Sequence, residues 1–474
     1  MTAVRTLAVY ADAARVGELT EAAGVWGFEY AHEWLASPTS YDLSPALARR
    51  ARRIVDDSTR RSVQWFFDNL LPEERLREVV LREAGIRGDD AFALLAYLGA
   101  ESAGSLTLLD AAAGPPSAGP GQLRPLSRER LSERIAGLPN RTLSSDAPKR
   151  MSLAGAQHKL LVRLIDDELW EPTDSAASTH ILKPQHPAQA DFPSTVVNEW
   201  LMMTLAKAAG LPVPAVHMLY VPEPVYIVER FDRLPSGRRM RKKAAPETLR
   251  AAPPVSRLHA IDACQLLDQP PNFKYSEATL ETFGRLARAC TTPAAARLVL
   301  WRWLVFNLLA GNDDAHLKNA SFLVRSDELR PAAHYDLLSS VLYRTKSFAG
   351  KAGTWPRVEM PTPLPGAKTY DDVEPAVLEK AAQALEIPWS TAKRVVREVV
   401  TGVHRAWPRA QHRLANVHSA ALATQPTAAK HFAEQLRLVR LFEQAILGEM
   451  APRLTGSAWP GRATLIRAPA GESW

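Results

Sequence analysis

The sequence predicts an α+β protein in which a small mixed domain is followed by a β-rich lobe and then by a mostly helical lobe. Short apolar runs typical of strands are concentrated between residues 151 and 235. Longer apolar patterns at helical spacing dominate residues 255–450. A proline- and glycine-rich stretch begins at residue 111 and marks the end of the first domain.

Composition narrows the function classes before any motif is considered. The chain has 474 residues, of which 46% are hydrophobic and 23% charged, as in a packed protein of about two to four domains. This excludes a fibre or a wholly disordered protein. The net charge of +7 permits contact with nucleic acid or another anion without demonstrating it. No apolar run reaches the roughly 20 residues of a membrane span. Because two cysteines cannot form a disulfide framework, we expect a protein of the reducing cytoplasm.

Cysteine content and missing motifs exclude further classes. The two cysteines, Cys264 and Cys290, are too few for a disulfide framework or a cysteine-rich zinc site. Both lie in helical patterns, so we expect buried thiols. The sequence also lacks H-E-x-x-H, G-x-S-x-G and G-x-G-x-x-G, which are typical of zinc proteases, serine hydrolases and dinucleotide-binding enzymes.

Residues 1–110 are predicted to form the small α+β domain. A strand-like run at 6–10, a polar turn and a second run at 16–19 favour a hairpin. Residues 62–71 carry apolar side chains at helical spacing, and a proline ends that pattern. Residues 111–150 are first rich in proline and glycine and then basic, so we expect a linker with partial order only.

Residues 151–235 are predicted to form the β-rich lobe with one helix against it. The apolar runs at 160–164, 179–182 and 225–228 are typical of strands, and 194–209 is typical of a helix. These elements precede the motifs that carry the chemistry.

Residues 236–254 interrupt the pattern with six basic side chains, one acid and no apolar periodicity. We expect a mobile, solvated insertion, with contact to an anion or a nucleic acid as the alternative. Residues 451–474 are rich in Gly, Pro and Ala and are predicted to be a loose tail. Between them lies the helical lobe, with a central buried helix at 294–310 and further helices at 373–385, 390–407 and 429–447.

The sharpest motif is GNDDAHLKN at residues 311–319, directly after the central helix. Phosphoryl transfer needs a carboxylate that orients and deprotonates the attacking hydroxyl, and an oxygen ligand for Mg²⁺ close by. Asp314 and Asn319 supply both, at the spacing of the protein-kinase catalytic loop H-R-D-x-x-x-x-N. Lys318 is placed to neutralise charge that develops on the transferred phosphoryl group.

A second carboxylate, Asp336, follows Tyr335 just after an apolar stretch. A kinase places its main Mg²⁺ carboxylate at such a position, downstream of the catalytic loop. Leucines stand at 337 and 338, so the glycine of the usual D-F-G motif is missing. An isolated D-L-L is typical of a surface turn, but its spacing from Asp314 favours the metal-ligand interpretation.

Three segments of the β-rich lobe predict a nucleotide site. SLAGAQHK at 152–159 is rich in small residues, and its backbone N–H groups can approach phosphates closely. Lys183 ends a predicted strand and can reach the α- and β-phosphates, while Glu199 on the next helix can pair with it. Taken singly, each is equally compatible with a surface ion. Residues 229–232 (ERFD) lie at the lobe junction, where backbone groups can read an adenine edge and the phenylalanine can pack near the base.

These motifs, in this order, resemble the HipA family, the serine/threonine-kinase toxins of bacterial toxin–antitoxin systems. ARVGELTEAAGVWGFEYAHEWLAS and FFDNLLPE are similar to the family's N-terminal domain. SLAGAQHK, THILKP, VNEWLMMTLAKAAGLPVP, VERFDR, DACQLL and GNDDAHLKN then follow in the family's order. The resemblance covers nearly the whole chain.

The resemblance implies a two-lobed, protein-kinase-like fold that uses ATP and Mg²⁺. It implies Asp314 as the catalytic base, with Asn319 and Asp336 on Mg²⁺. It also implies that Ser152 is autophosphorylated, which ejects its loop and inactivates the kinase. The residues expected to surround ATP are Ala154, Gly155, Ala156, Gln157, His158, Lys159, Lys183, Glu199, Glu229, Arg230, Phe231, His316, Lys318, Asn319, Tyr335 and Asp336.

The same resemblance implies partners and a target. A small HipB-like antitoxin with a helix-turn-helix would bind operator DNA, with this chain as co-repressor. An aminoacyl-tRNA synthetase is the expected substrate, glutamyl-tRNA synthetase first. Two alternatives from other classes remain, a catalytically weak co-repressor scaffold and a kinase for a small molecule or lipid. Three features depart from the family pattern: His158 where an acid is common, the longer insertion at 236–254, and the tail.

Overall fold

Strands dominate the first half of the chain and helices the second, in a computed structural model that describes residues 4–116, 119, 121–235 and 250–457. The strands are β1 (Arg5–Ala11), β2 (Ala14–Ala22), β3 (Val25–Tyr30), β4 (Arg53–Val55), β5 (Leu106–Asp110), β6 (Gln122–Pro125), β7 (Leu160–Ile165), β8 (Glu168–Pro172), β9 (His180–Pro184), β10 (Val216–Tyr220), β11 (Pro224–Glu229), β12 (Arg233–Pro235), β13 (Arg250–Ala251), β14 (Val255–Arg257), β15 (His259–Asp262), β16 (Ser321–Val324), β17 (Leu329–Pro331), β18 (Glu359–Leu364) and β19 (Ala367–Thr369).

The helices follow the same chain order. They are α1 (His32–Ala36), α2 (Ser62–Asp68), α3 (Glu74–Glu83), α4 (Ala91–Leu98), α5 (Arg128–Ala136), α6 (Thr195–Ala208), α7 (Ala263–Leu266), α8 (Leu280–Ala289), α9 (Pro293–Ala310), α10 (Lys346–Ala349), α11 (Pro375–Ala384), α12 (Trp389–Thr424), α13 (Phe432–Leu441) and α14 (Ala451–Thr455), with a π-helical stretch, Phe442–Met450, between the last two.

The first domain is a five-stranded antiparallel sheet in the order β4-β3-β2-β1-β5. The predicted hairpin is confirmed, because β1 pairs with β2 and Leu7 lies opposite Leu19. The helix predicted at 62–71 is confirmed as α2, and it packs on the sheet through Phe67, whose ring centroid lies 5.8 Å from that of Phe28. Burial of these alternating apolar residues holds the helix on the sheet.

The β-rich lobe is a seven-stranded sheet in the order β10-β11-β9-β7-β8-β6-β13. The three strands predicted from apolar runs are confirmed as β7, β9 and β11, and the predicted helix as α6. The helix buries Val197, Trp200 and Leu201 and contacts β10 and β11. Because β9 carries Lys183 and α6 carries Glu199, this packing determines how the two side chains meet.

The linker predicted over residues 111–150 is wrong for residues 122–136. β6 is a strand of the main sheet, and α5 buries Leu131 in the lobe's core. The sequence pattern did not predict these two elements, because the segment has few apolar residues and its basic side chains form ion pairs inside the protein. The Arg134 guanidinium lies 2.7 Å from Glu171, and both side chains are almost fully buried. Paired burial makes a basic segment compatible with a packed position.

The predicted insertion and tail are both too long. β13 pairs with β6, so the segment expected to be mobile ends before Arg250. The paired residues are Arg250 and Ala251, which have the backbone N–H groups that strand pairing needs, and the prolines at 253 and 254 come after them. α14 continues the helical lobe and buries Ala451 and Leu454, so the tail does not begin at residue 451. The rest of both predictions, at 236–249 and 458–474, lies outside the described residues.

The helical lobe surrounds α9, which is buried nearly all round, as predicted. The helix ends at Gly311, whose φ is +64°, and a Cβ there would lie 2.3 Å from Val341 Cγ2. Glycine alone satisfies both conditions, and it turns the chain from the core into the GNDDAHLKN motif. Helix α12 runs well beyond the predicted 390–407, through Pro408. Cys264 and Cys290 are buried free thiols, as predicted. No helix within the described residues combines the length and hydropathy needed to cross a bilayer.

Candidate active site

A cleft of about 670 Å³ lies between the β-rich lobe and the helical lobe. The GNDDAHLKN motif and the 152–159 loop, nearly 160 residues apart in the sequence, both line it. Sixteen of the residues singled out from the sequence line this cleft: Ala154, Gly155, Ala156, Gln157, Lys159, Lys183, Glu199, Glu229, Arg230, Phe231, Asp314, His316, Lys318, Asn319, Tyr335 and Asp336.

Lys183 connects two carboxylates at the back of the cleft. Its ammonium group lies 2.8 Å from Glu199 Oε1 and 2.5 Å from Asp336 Oδ1. Burial disfavours the lysine charge, but the two carboxylates outweigh burial and raise the pKa of Lys183. Burial likewise opposes the Asp336 charge, and Lys183 outweighs it, so the pKa of Asp336 is lowered. Both groups are therefore charged near neutral pH.

Asp336 is held in an uncommon backbone conformation. Its φ is +56°, in the left-handed region that aspartate tolerates better than most residues. Helix α6 fixes the loop that follows, because Ser339 N donates to Asn198 Oδ1 at 2.8 Å and Asn198 Nδ2 donates to Ser339 O at 3.0 Å. Helix α6 thus positions both Glu199 and the Asp336 loop.

The GNDDAHLKN motif forms a tight turn that is held by side-chain hydrogen bonds. Asn319, in the 3₁₀ turn Leu317–Asn319, donates from Nδ2 to the Asp314 carbonyl at 2.8 Å. Tyr275, from the loop before α8, donates its hydroxyl to Asp314 Oδ1. Burial raises the pKa of Asp314 to about 6, which is poised for proton transfer near neutral pH.

The donor set fits a hard divalent cation. Asn319 uses its amide nitrogen for the Asp314 carbonyl, so its oxygen remains available, and the Asp336 carboxylate is charged. One amide oxygen and one carboxylate, completed by phosphate and water oxygens, form a typical Mg²⁺–nucleotide site. Asn319 and Asp336 are therefore the residues that would hold the metal.

Lys318 lies elsewhere than its predicted role requires. Its ammonium group donates to the Asn69 carbonyl at 2.9 Å, to Asn69 Oδ1 at 2.7 Å and to Asp262 Oδ2 at 3.0 Å. These bonds occupy its three donors. The predicted neutralisation of a transferred phosphoryl group does not fit this arrangement, because the charge is already compensated. Lys318 instead anchors the catalytic loop to the first domain.

The 152–159 loop presents backbone to the cleft, as expected of a phosphate-binding segment. Gly155 has a φ of +102°, and a Cβ there would lie 3.0 Å from Lys159 Nζ. Lys159 donates to the Ala154 carbonyl, and burial together with the Lys183 charge lowers the pKa of Lys159 to about 8. The Lys159 side chain therefore stabilises the conformation of its own loop.

His158 does not line the main cleft. Its side chain is buried beside a separate cavity of about 40 Å³, behind the loop and near Leu76 and Leu143. The prediction that His158 contacts ATP is therefore not supported by its position.

At the lobe junction, the Arg230 side chain is bound within the protein, and the Phe231 ring lies at the cleft. The five N–H groups of Arg230 are occupied by Asp232, Glu101, Ser178 Oγ and the Ser102 carbonyl. Only the backbone of this residue remains for a nucleotide. Phe231 stacks on Tyr335, with ring centroids 5.6 Å apart and planes 17° apart, at the edge of the cleft. A flat aromatic surface therefore borders the predicted adenine site.

Ser152 is fully buried in this arrangement. Its hydroxyl donates to the Leu70 carbonyl at 2.6 Å, and its N–H donates to the Glu101 carbonyl at 2.7 Å. The side chain therefore points into the first domain. Glu73 N also donates to the Gly155 carbonyl at 3.3 Å, so the turn after α2 holds this loop at two points.

Several residues of the site are not among the site residues predicted from the sequence. They are Asn69 and Glu73 after α2, Glu101 before β5, Asp262 at the end of β15, and Lys274 and Tyr275 before α8. Asn69 and Glu73 lie in the FFDNLLPE motif and Asp262 in DACQLL, but only the tertiary structure gives them a place at the site.

Two family models and several curated proteins match this chain. The family model described as the HipA-like C-terminal domain matches residues 151–407, and the HipA N-terminal domain matches residues 7–109. A putative kinase, Y4mE of Sinorhizobium fredii, is 38% identical over 350 residues, which is 72% of this chain and 78% of the relative. The serine/threonine-protein kinase toxin HipA of Shewanella oneidensis is 28% identical over 358 residues, 71% of this chain and 76% of the relative.

A solved structure shares the whole fold. A chain in the complex of Shewanella oneidensis HipA, HipB and operator DNA superposes with a TM-score of 0.69 at 24% identity, covering 95% of this chain and 99% of that chain. The predicted two-lobed, kinase-like α+β fold is confirmed. The chain therefore belongs to the HipA family of serine/threonine-protein kinases.

Proposed function

We propose that this protein is an ATP- and Mg²⁺-dependent serine/threonine kinase that acts as the toxin of a HipBA-type toxin–antitoxin system. The single observation that carries the proposal is the contact of Lys183 with both Glu199 and Asp336. A nucleotide site needs this arrangement, because the lysine then has a fixed position from which to reach phosphate oxygens. A chain kept only as a scaffold has no need for it.

The residues divide the chemistry as follows. Asp314 accepts the proton of the substrate hydroxyl as that oxygen attacks the γ-phosphorus and the bond to ADP breaks. Asn319 and Asp336 hold Mg²⁺, which neutralises phosphate charge when it is bound. Lys183 holds the α- and β-phosphates, and the backbone of residues 154–157 covers them. Lys318 positions the loop that carries Asp314.

The finer proposals concern substrate and partners. We propose an aminoacyl-tRNA synthetase as target, glutamyl-tRNA synthetase first, and autophosphorylation at Ser152. The HipA named in the matching structure is solved with HipB and operator DNA, which supports a HipB-like antitoxin and a co-repressor role for this chain. A cytoplasmic location fits these partners.

The test uses γ-labelled ATP and Mg²⁺ in a cell lysate, with the wild-type chain beside Asp314→Ala. A labelled band absent with the variant supports a protein kinase, and mass spectrometry of that band names the target. ATP turnover without any labelled protein would favour a small-molecule kinase. Absence of both label and turnover would favour a scaffold, once prior phosphorylation of Ser152 has been excluded by intact mass.

A further inference from the structure

We propose that Tyr275 guards the catalytic carboxylate, with its phenol on Asp314 until the hydroxyl of a protein substrate displaces it. This prevents wasteful hydrolysis of ATP. The inference rests on the proposed function, because it requires Asp314 to act as the base. Tyr275 is in this view a positioning residue that selects which nucleophile reaches Asp314.

The hydrogen bond from Tyr275 is of the same kind that a substrate hydroxyl must make. The Tyr275 hydroxyl donates to Asp314 Oδ1, and within the described residues this is the hydrogen bond that the carboxylate accepts from a side chain. A serine or threonine about to be phosphorylated must direct its O–H at the same carboxylate. The two hydroxyls therefore compete for one acceptor.

The backbone beside Tyr275 is fixed, so the phenol returns to the same place. Leu317 N, inside the catalytic motif, donates to the Lys274 carbonyl at 3.1 Å. The Lys274 ammonium group lies 2.7 Å from Glu73 Oε2 in the first domain. The Tyr275 ring lies edge-on to His316, with centroids 4.9 Å apart and planes 85° apart.

The Tyr275 side chain is accessible to solvent. Tyr275 is 44% exposed, although its hydroxyl reaches into the cleft. Rotation of the ring into solvent would uncover Asp314 without opening the buried core. A docking protein can contact the displaced ring and also bring a hydroxyl to Oδ1, whereas a water molecule offers only a hydrogen bond in exchange for the one it replaces. The exchange therefore favours a macromolecular hydroxyl over water.

The chemistry explains why such a guard is useful. A water molecule held by Asp314 would attack the γ-phosphorus, forming a new O–P bond as the bond to ADP breaks and Asp314 takes the proton. The products are ADP and inorganic phosphate, and no protein is modified. A hydroxyl already held at Oδ1 excludes water from that position.

The test compares Tyr275→Phe with wild type, because phenylalanine keeps the ring contacts and loses only the hydroxyl. Purified protein is given Mg²⁺ and ATP, and release of inorganic phosphate is measured without any other protein. We expect release to rise about tenfold, the factor that corresponds to about 1.4 kcal/mol for a lost bond to a charged group. Labelling of lysate protein should persist, so the ratio of free to protein-bound phosphate rises.

Two matched variants complete the experiment. Tyr41→Phe loses a hydroxyl contact of 2.6 Å with Ser105 in the first domain, away from the cleft, and should leave phosphate release unchanged. Tyr275→Phe combined with Asp314→Ala should abolish the extra release, which assigns it to this active site. Persistence of the extra release in that double variant would overturn the proposal.

Other outcomes are also decisive. Unchanged or lower phosphate release in Tyr275→Phe, with labelling of protein intact, would overturn the guard while leaving the proposed function in place. Phosphate found on Tyr275 by mass spectrometry would overturn it too, because the phenol would then be an acceptor. Full labelling by Asp314→Ala would overturn both the guard and the proposed function.

Discussion

The Lys183 ammonium group lies 2.5 Å from Asp336 Oδ1, although 153 residues separate the two in sequence. Strand β9 of the β-rich lobe carries the lysine, and the loop after β17 in the helical lobe carries the aspartate. The contact therefore joins the two lobes across the cleft. It also brings the expected phosphate ligand beside the expected metal ligand, which is the arrangement that phosphoryl transfer requires.

Replacing Lys183 by methionine should lower phosphoryl transfer by about 10²-fold or more, because a fixed cation at the phosphates is lost. It should also lower the free energy of unfolding by about 3 kcal/mol, since Glu199 and Asp336 would face each other without a counter-charge. Adding Glu199→Gln should restore part of the thermal stability and none of the activity. Recovery of activity in that double variant would contradict the assignment of Lys183 to phosphate binding.

Asp336→Ala should weaken binding of ATP by about tenfold or more when Mg²⁺ is present, a loss of about 1.4 kcal/mol. Without Mg²⁺ the same change should leave ATP binding unchanged or slightly tighter, because it removes a negative charge near the phosphates. Calorimetry under both conditions measures the difference. Equal weakening with and without the metal would mean that Asp336 does not hold Mg²⁺.

Ser152→Ala should remove most autophosphorylation, seen as an intact mass that no longer shifts after incubation with Mg²⁺ and ATP. The buried hydroxyl donates to the Leu70 carbonyl, so its loss should cost about 1 kcal/mol of stability. Because this hydroxyl points into the first domain, the loop must leave its present position before Ser152 can react. If Ser152→Ala showed the same mass shift as wild type, Ser152 would not be the site of autophosphorylation.

The buried Glu101 carboxylate should make the free energy of unfolding decrease at low pH. Its side chain is fully buried, and although burial opposes its charge, Lys149, Arg233 and Arg230 outweigh burial and hold the pKa well below its usual value. A group whose pKa is lowered on folding stabilises above its unfolded pKa, here about 4.5, and loses that contribution as pH falls through the folded pKa.

Glu101→Gln should therefore lower the free energy of unfolding at pH 7 by about 3–5 kcal/mol and flatten its decline below about pH 4.5. Urea unfolding at several pH values measures both effects. Glu18→Gln is the matched control, because the Glu18 side chain is largely exposed and its ion pair, within the described part of the chain, is with the exposed Arg15. We therefore expect a change within about 0.5 kcal/mol. An acid profile that Glu101→Gln leaves unaltered would contradict the role of this network.

Local signals predicted much of the fold. The β1–β2 hairpin, α2, α6 and α9 each show an apolar period within one segment, and the structure confirms all four. The prediction for the segment around β6 and α5 is wrong. Its few leucines are too sparse to form a recognisable pattern, although they are buried, and Arg134 meets Glu171 only in the folded protein. Burial of a charged pair cannot be read from a local pattern.

The site divides in the same way. Asp314, Asn319 and Asp336 carry recognisable spacing, so the sequence identified them and the structure brings them to one cleft. Lys318 and Arg230 have the expected positions in the chain, but their charges are taken up by partners from the first domain and the lobe junction. Tyr275 belongs to no motif. Its link to Asp314 arises only from the packing of the loop before α8.

A comparison of Asp314→Asn with Asp313→Asn tests the role of Asp314 as the catalytic base. The two carboxylates are adjacent, but Asp314 receives the Tyr275 hydroxyl in the cleft, while Asp313 faces Arg344 at 3.7 Å. Transfer of label from γ-labelled ATP to protein should fall by about 10²–10⁴-fold in Asp314→Asn and stay within a few-fold of wild type in Asp313→Asn. Equal activity of Asp314→Asn and wild type would contradict the account.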